Sequence, residues 1–162
     1  MRGPLDRSDQ RMTLRNDLIE PLLAACPSFR PLWEQHLADW RGEDAGIYND
    51  LSVFAHHLVE SYAAGRTAEF AAVFQVIEQL LSQGPKEFRA PLSVGLLEDL
   101  QVIGSHHPFG GDAFRPWLGP KSLGAWQEIA KLWEGKRSLA DVIRAEAEGH
   151  KQLPDSAPGG AV

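Results

Sequence analysis

Residues 29–40 read FRPLWEQHLADW, and their apolar side chains recur at intervals of three and four positions. An α-helix has 3.6 residues per turn, so this spacing places one stripe of side chains along one side of a helix. The members of the stripe are Phe29, Leu32, Trp33, His36, Leu37 and Trp40. The stretch therefore predicts an amphipathic helix that packs against a core.

The same spacing recurs between residues 18 and 147, and no segment has a comparable strand pattern. We predict a first helix over 18–25 with Pro21 in its first turn, and a last helix that begins after Gly135. The predicted N-caps are Ser28, Asn49, Thr67 and Ser138, and the predicted helix ends include Gly42, Gly65, Gly135 and Gly149. The predicted fold is all-α, a compact bundle or a short α-solenoid-like stack of about seven antiparallel helices.

Residues 92–103 differ from the other segments because apolar side chains cover nearly the whole circumference of the predicted helix. Its apolar residues are Leu92, Val94, Leu96, Leu97, Leu100, Val102 and Ile103. A helix that is apolar on most sides is buried on most sides. We therefore expect this helix to lie at the centre of the fold.

The length and the distribution of apolar residues predict one domain. A chain of 162 residues can bury a sufficient core by itself. We expect this domain to span residues 13–149, with flexible polar tails over 1–12 and 150–162.

The net charge and the single cysteine limit the classes of partner and the cellular compartment that the sequence favours. A net charge of −6 with scattered basic residues argues against a nucleic-acid partner, since phosphate binding needs clustered Lys and Arg. Cys26 stands alone, which excludes an intrachain disulfide and favours a reducing cytoplasm. No export signal and no apolar segment of membrane-spanning length is present, and we predict neither a membrane partner nor a cofactor.

Four short motifs resemble an uncharacterised family of small bacterial all-helical proteins. They are ACPSF at 25–29, LWEQHLADW at 32–40, GLLEDLQ at 95–101 and LGPKSL at 118–123. The resemblance covers residues 18–133 and implies a helical fold. It also implies an accessory role, as in immunity or partner proteins of toxins, and it assigns no catalytic residue.

One candidate site lies in the loop GSHHPFGGDAF at 104–114. His106, His107 and Asp112, with Asp99 on the preceding helix, have the side chains of a metal or acid–base cluster. Asp99 falls at the edge of the apolar arc, so it is either a general base with a raised pKa or a structural hydrogen-bond acceptor. The sequence has no metalloprotease spacing, and paired histidines in loops often face water.

Three further patterns favour structural roles. His36 lies in an apolar stripe, which is typical of a hydrogen-bonded core histidine. Cys26 has no activating base beside it in the sequence. The segment Gly119–Pro120–Lys121–Ser122 lacks the glycine that precedes the lysine of a phosphate-binding loop, and Pro120 instead indicates the start of a helix.

Three functional hypotheses remain open. The first is a non-enzymatic protein-interaction domain that binds a basic partner, such as an immunity or accessory protein. Its candidate partner-binding residues are Trp40, Glu43, Asp44, Asp50, Phe109 and Trp117, although the aromatic residues among them could instead cover the ends of the core. The second is a small hydrolase in which Asp99, His106, His107 and Asp112 converge. The third is a small-molecule-binding regulatory domain with an apolar cavity near the central helix.

Overall fold

A computed structural model describes residues 3–4 and 6–151, except the side chains at positions 137, 138, 150 and 151. Six α-helices and one π-helix account for most of these residues, and none of the described residues lies in a β-strand. The prediction of an all-α fold with about seven helices is confirmed.

The α-helices are α1 (Arg7–Ala25), α2 (Arg30–Asp39), α3 (Ile47–Ala63), α4 (Phe70–Gln83), α5 (Glu98–Ser105) and α6 (Pro120–Lys151). The π-helix spans Pro91–Leu97 and runs directly into α5. Short 3-10 helices occupy Pro27–Phe29, Lys86–Phe88 and Gly111–Trp117.

The contacts divide the chain into two units, one up to Ile129 and one from Ala130 onward. The first unit is a helical bundle around one hydrophobic core. The π-helix and α5 pack mainly on α3. Leu92, Leu96 and Leu100 are fully buried there, which confirms that residues 92–103 form a central helical segment.

Helix α1 begins at Arg7, well before the predicted start at residue 18. The Asp6 side chain accepts a hydrogen bond from the Arg7 N–H and caps the helix. The prediction of the helix start was wrong because the first turns are polar, so apolar spacing detects only the buried end. Residues 7–12 of the predicted tail are helical, whereas residues 152–162 of the other tail lie outside the described residues.

The predicted N-caps at Ser28, Asn49 and Thr67 were also wrong. Helices α2, α3 and α4 begin at other positions, and the Asn49 side chain bonds the Ala45 carbonyl from within the first turn of α3. Pro21 lies inside α1 and not in its first turn.

Helix α6 continues through Gly135, where we predicted an end. An interior glycine lowers helix stability by only about 1 kcal/mol relative to alanine, so it does not by itself stop a helix. The predicted N-cap at Ser138 was also wrong, because the backbone of α6 runs through this position and no helix begins there.

Candidate functional site

A buried polar network joins helices α1, α2 and α3. Asp50 on α3 is 0% exposed, and its carboxylate accepts hydrogen bonds from Arg15 Nε at 2.5 Å and Arg15 Nη2 at 2.9 Å. His36 Nε2 lies 2.8 Å from the Asp50 Oδ1 atom. We call Arg15, His36 and Asp50 the Asp50 network. Because its carboxylate is bonded by a bidentate guanidinium, the buried charge is compensated.

The Asp50 network contacts residues that reach the surface. Arg15 Nη1 lies 3.8 Å from Asp44 Oδ1, and the His36 ring contacts the Trp40 ring edge-on at 6.4 Å between centroids. Trp40 is 41% exposed, and Glu43 and Asp44 are exposed beside it. We call Trp40, Glu43 and Asp44 the Trp40 surface. Its aromatic ring and one of its carboxylates are therefore positioned by residues from the core.

The loop that carries the Trp40 surface has a defined backbone. Arg41 and Gly42 have φ angles of 52° and 78°, in the left-handed region that ends a helix, and Gly46 has a φ angle of 88°. The Asp44 side chain accepts a hydrogen bond from the Gly46 N–H at 2.8 Å. This side-chain turn holds the acidic loop between α2 and α3 in one shape.

Not every predicted partner-binding residue lies on the surface. Asp50 is buried in the network described above, so its inclusion in an acidic surface patch was wrong. Phe109 and Trp117 are half-buried: the Phe109 ring lies 4.6 Å from Tyr62, and the Trp117 ring lies 5.1 Å from Phe70. These two rings cover an aromatic part of the core, which was the alternative role considered for them.

The proposed metal or acid–base cluster does not assemble. Asp99 is close to Ser52 and His56 of α3, whereas Asp112 accepts a hydrogen bond from Trp126 Nε1 at 3.2 Å. The two loop histidines also differ, because His106 is exposed and the His107 ring stacks on Phe109. Within residues 3–4 and 6–151, no three His, Cys, Asp or Glu side chains are grouped so that they could hold a metal ion.

Asp99 keeps the raised pKa that its position suggested. Burial raises the pKa of its carboxyl, the neighbouring Glu98 carboxylate raises it further, and His56 and a hydrogen bond with Ser52 oppose the shift. The side chain is a half-buried hydrogen-bond acceptor at the contact between α5 and α3.

A second polar cluster, which the sequence did not reveal, lies where α1 ends and α4 begins. Ser28 Oγ is 2.9 Å from His57 Nε2 and 3.0 Å from Glu69 Oε2, and Cys26 Sγ is 3.6 Å from Ser28 Oγ. We call Cys26, Ser28, His57 and Glu69 the Ser28 cluster. It lines a cavity of about 730 Å³ together with Arg66 and Thr67.

The protonation states in the Ser28 cluster follow from its surroundings. Burial alone would raise the pKa of Glu69, but hydrogen bonds from Cys26 and Ser28 outweigh it and hold that pKa below its usual value. Burial lowers the pKa of His57 despite the opposing Glu69 charge. Near neutral pH, Glu69 is therefore an anion that only accepts hydrogen bonds, and His57 is neutral.

These states determine the direction of the hydrogen bonds. The single hydroxyl proton of Ser28 goes to the Glu69 carboxylate, since two facing oxygens at this distance need a proton between them. His57 Nε2 then donates to Ser28 Oγ, the reverse of the contact that activates a nucleophilic serine. Burial, followed by the Glu69 hydrogen bond, raises the pKa of the Cys26 thiol to about 12, so it remains protonated.

Glu78 of α4 forms a related contact at the start of α6. Its carboxylate accepts hydrogen bonds from the N–H groups of Lys121 at 2.7 Å and Ser122 at 2.9 Å, and from the Ser122 hydroxyl at 2.7 Å. A Cβ atom at Gly119 would lie 2.6 Å from the Glu78 Cδ atom. The segment that resembled a phosphate-binding loop is thus filled by a carboxylate of the protein itself.

The cavity beside the Ser28 cluster also differs from the one that the third hypothesis predicted. Its lining includes the charged side chains of Arg66 and Glu69, and neither the π-helix nor α5 contributes to it. That hypothesis expected an apolar cavity near the central helix.

The sequence carried a signal for only one of the two clusters. Arg15 precedes Leu18 and Leu22 by three and seven positions, so it falls on the apolar side of α1, where a charged residue needs a buried partner. Ser28, His57 and Glu69 come from three separate segments, and no local spacing connects them.

Among the described residues, no helix has the length and apolar character needed to cross a membrane. No curated protein and no solved structure matches the chain. The family described as a domain of unknown function, DUF7674, matches residues 19–134. The match spans all of α2 to α5, the last seven residues of α1 and the first part of α6. The chain therefore belongs to the DUF7674 family.

Proposed function

We propose that this protein is a non-enzymatic interaction domain, and that its Trp40 surface binds a basic segment of a partner protein. The observation that carries the proposal is the exposure of Trp40 beside two carboxylates, with the ring and Asp44 both held by the Asp50 network. Tryptophan is enriched among the residues that dominate binding energy, and adjacent carboxylates attract a basic partner.

Preorganisation supports this role. A binding loop that is already ordered loses less conformational freedom when its partner binds, so more of the contact energy contributes to affinity. Here the Asp50 network and the turn between Asp44 and Gly46 hold the loop before any partner arrives.

The chemistry of the interior supports an interaction role over an enzymatic one. In the Ser28 cluster the hydroxyl proton is committed to Glu69 and the thiol is protonated, so neither group is an activated nucleophile. The buried side-chain nitrogen and oxygen atoms of the described residues all have hydrogen-bond partners. The polar interior is thus occupied by its own contacts.

The specific form of the proposal is a bacterial immunity or accessory protein that neutralises a basic toxin. Such a partner would be steered toward the net negative charge of −6. We also propose a cytoplasmic location, where the one cysteine, a buried free thiol, would stay reduced.

The proposal is tested by purifying the tagged protein gently from its own host and recording native mass spectra. We expect a stoichiometric basic protein with the wild type and a weaker complex at higher salt, because surface charges are screened. Trp40→Ala and Glu43→Lys should each weaken the complex.

Glu60→Lys is the matched control for Glu43→Lys, because it reverses the charge of another exposed glutamate, on α3. Loss of the complex with Glu43→Lys but not with Glu60→Lys supports the Trp40 surface. Equal binding by the wild type, Trp40→Ala and Glu43→Lys would overturn it.

A further inference from the structure

The second unit of the chain, from Ala130 onward, carries an uncovered apolar stripe. Leu132 and Leu139 on α6 are 64% and 60% exposed, and Val142 and Ile143 are also more than half exposed. At 100° per residue, Leu132, Leu139 and Ile143 fall within about 40° of one another around the helix axis. These four residues, which we call the α6 stripe, lie within about 100° of one another on one side of the helix.

An uncovered face of this kind is unfavourable for an isolated helix. A single helix of about 20 residues has marginal stability in water, and most helical stability in proteins comes from packing of the apolar face. The family match ends at residue 134, so the α6 stripe lies almost entirely beyond the segment that defines the family. The α6 stripe is therefore a different surface from the Trp40 surface, and what packs on it has to be argued separately.

The charges beside the α6 stripe indicate what covers it. Lys136 lies about 60° from Leu139 around the helix axis, and Glu146 lies about 20° from it, so both share the apolar side. Lys136 precedes Leu139 by three residues, and Glu146 follows Ile143 by three. If a second α6 runs antiparallel with its twofold axis at Asp141, Lys136 of each copy faces Glu146 of the other, and Leu139 faces Ile143.

We propose that the α6 stripe is a self-association surface, on which a second copy of this chain packs its own α6 in antiparallel orientation. The twofold axis produces two Lys136–Glu146 contacts around an apolar centre. A parallel pair would instead place Lys136 against Lys136 and Glu146 against Glu146. The charge pattern thus selects the antiparallel arrangement, as flanking charges do in coiled coils.

Sedimentation equilibrium of the full chain tests the proposal. We expect the mass to rise from 17.9 kDa toward twice that value as the concentration increases, over a range from about 1 µM to about 1 mM. Lys136→Glu and Glu146→Lys should each weaken the dimer about tenfold, because each change makes two contacts repulsive. The double variant Lys136→Glu/Glu146→Lys should restore the wild-type dissociation constant.

The charge reversals contain their own controls. The two single variants change the net charge in opposite directions, so a common loss cannot come from net charge, and the double variant keeps the wild-type charge. Asp141→Lys makes the same charge change as Glu146→Lys on the opposite side of α6, and it should leave the dimer intact. Leu139→Lys should give a monomer with a native helical circular dichroism spectrum.

Two results would overturn the proposal. A wild type that remains monomeric over the whole concentration range would exclude self-association through this stripe. A dimer that dissociates with Leu139→Lys, but that the double charge reversal does not restore, would exclude the antiparallel register.

Discussion

The Asp50 network and the Ser28 cluster each contain a carboxylate and a histidine. The two carboxylates differ in burial and in hydrogen-bond partners. Asp50 is fully buried and binds the Arg15 guanidinium in bidentate fashion, whereas Glu69 is partly exposed and accepts hydrogen bonds from neutral groups. Removal of either charged partner of the first would therefore leave a buried charge poorly compensated. The second links the start of α4 to the segment after α1 and to α3 through hydrogen bonds. Neither arrangement activates a nucleophile.

The largest expected effect concerns the buried carboxylate. Asp50→Asn should lower the free energy of unfolding by about 3–5 kcal/mol, because it removes the bidentate partner of the buried Arg15 charge and leaves only the 3.8 Å contact with Asp44. Urea unfolding followed by circular dichroism measures this change. Asp17→Asn, at an exposed aspartate of α1, should change the free energy by less than about 0.5 kcal/mol. A loss below about 1 kcal/mol for Asp50→Asn would contradict the role of the network.

The carboxylates of the α4 region should have smaller effects. Glu78→Gln should lower the free energy of unfolding by about 1 kcal/mol, since it weakens three charge-assisted hydrogen bonds at the start of α6. Glu69→Gln should lower it by less, because the Glu69 contacts with the Ser28 N–H are 3.3 Å and 3.4 Å long. The same urea titration compares the two variants, and a larger loss for Glu69→Gln would reverse this ranking.

The lowered pKa values of Glu69 and Glu78 make the free energy of unfolding depend on pH. In the folded protein the hydrogen bonds from their partners outweigh burial and lower both pKa values below 4.5, so the unfolded chain binds protons first as the pH falls. Their stabilising contribution is full above pH 4.5 and is lost as the pH falls through the folded pKa values. The double variant Glu69→Gln/Glu78→Gln should therefore lose less stability than the wild type between neutral pH and about pH 3. Parallel curves of unfolding free energy against pH would contradict this.

The smallest expected signal is that of thiol labelling, because the Cys26 thiol should hardly react in the native protein. A buried thiol with a pKa of about 12 should react with a disulfide reagent in the native protein only very slowly at neutral pH. Absorbance of the released thiolate measures the rate, and the urea-unfolded protein is the control that should react at once. Rapid labelling of the native protein with a midpoint below pH 8 would indicate an activated cysteine.

The helices could be predicted because their buried sides carry apolar residues at intervals of three and four positions. Phe29, Trp33 and Leu96 are buried as expected, since periodic burial leaves a periodic pattern, whereas Leu32 and Trp40 of the first stripe are exposed. Helix starts were harder to predict because contacts distant in sequence determine them. Ser28, for example, binds Glu69 instead of capping α2, whereas the start of α6 at Pro120 was predicted correctly.

The candidate sites were also hard to predict wherever contacts between residues distant in the sequence decide them. Trp40, Glu43 and Asp44 are neighbours in the sequence, and all three are exposed in the fold. Asp50 follows them closely in the sequence but points to Arg15 in the core, which local charge patterns cannot reveal. His106 and Asp112 were grouped by proximity in the chain, whereas Asp112 accepts a hydrogen bond from Trp126, which is distant in the sequence.

The most direct test of an interaction role at the Trp40 surface is hydrogen–deuterium exchange of the protein alone and bound to its copurifying partner. We predict that the partner slows exchange in residues 39–48, which carry the Trp40 surface. Protection centred on the Ser28 cluster instead, with no change in residues 39–48, would contradict the account.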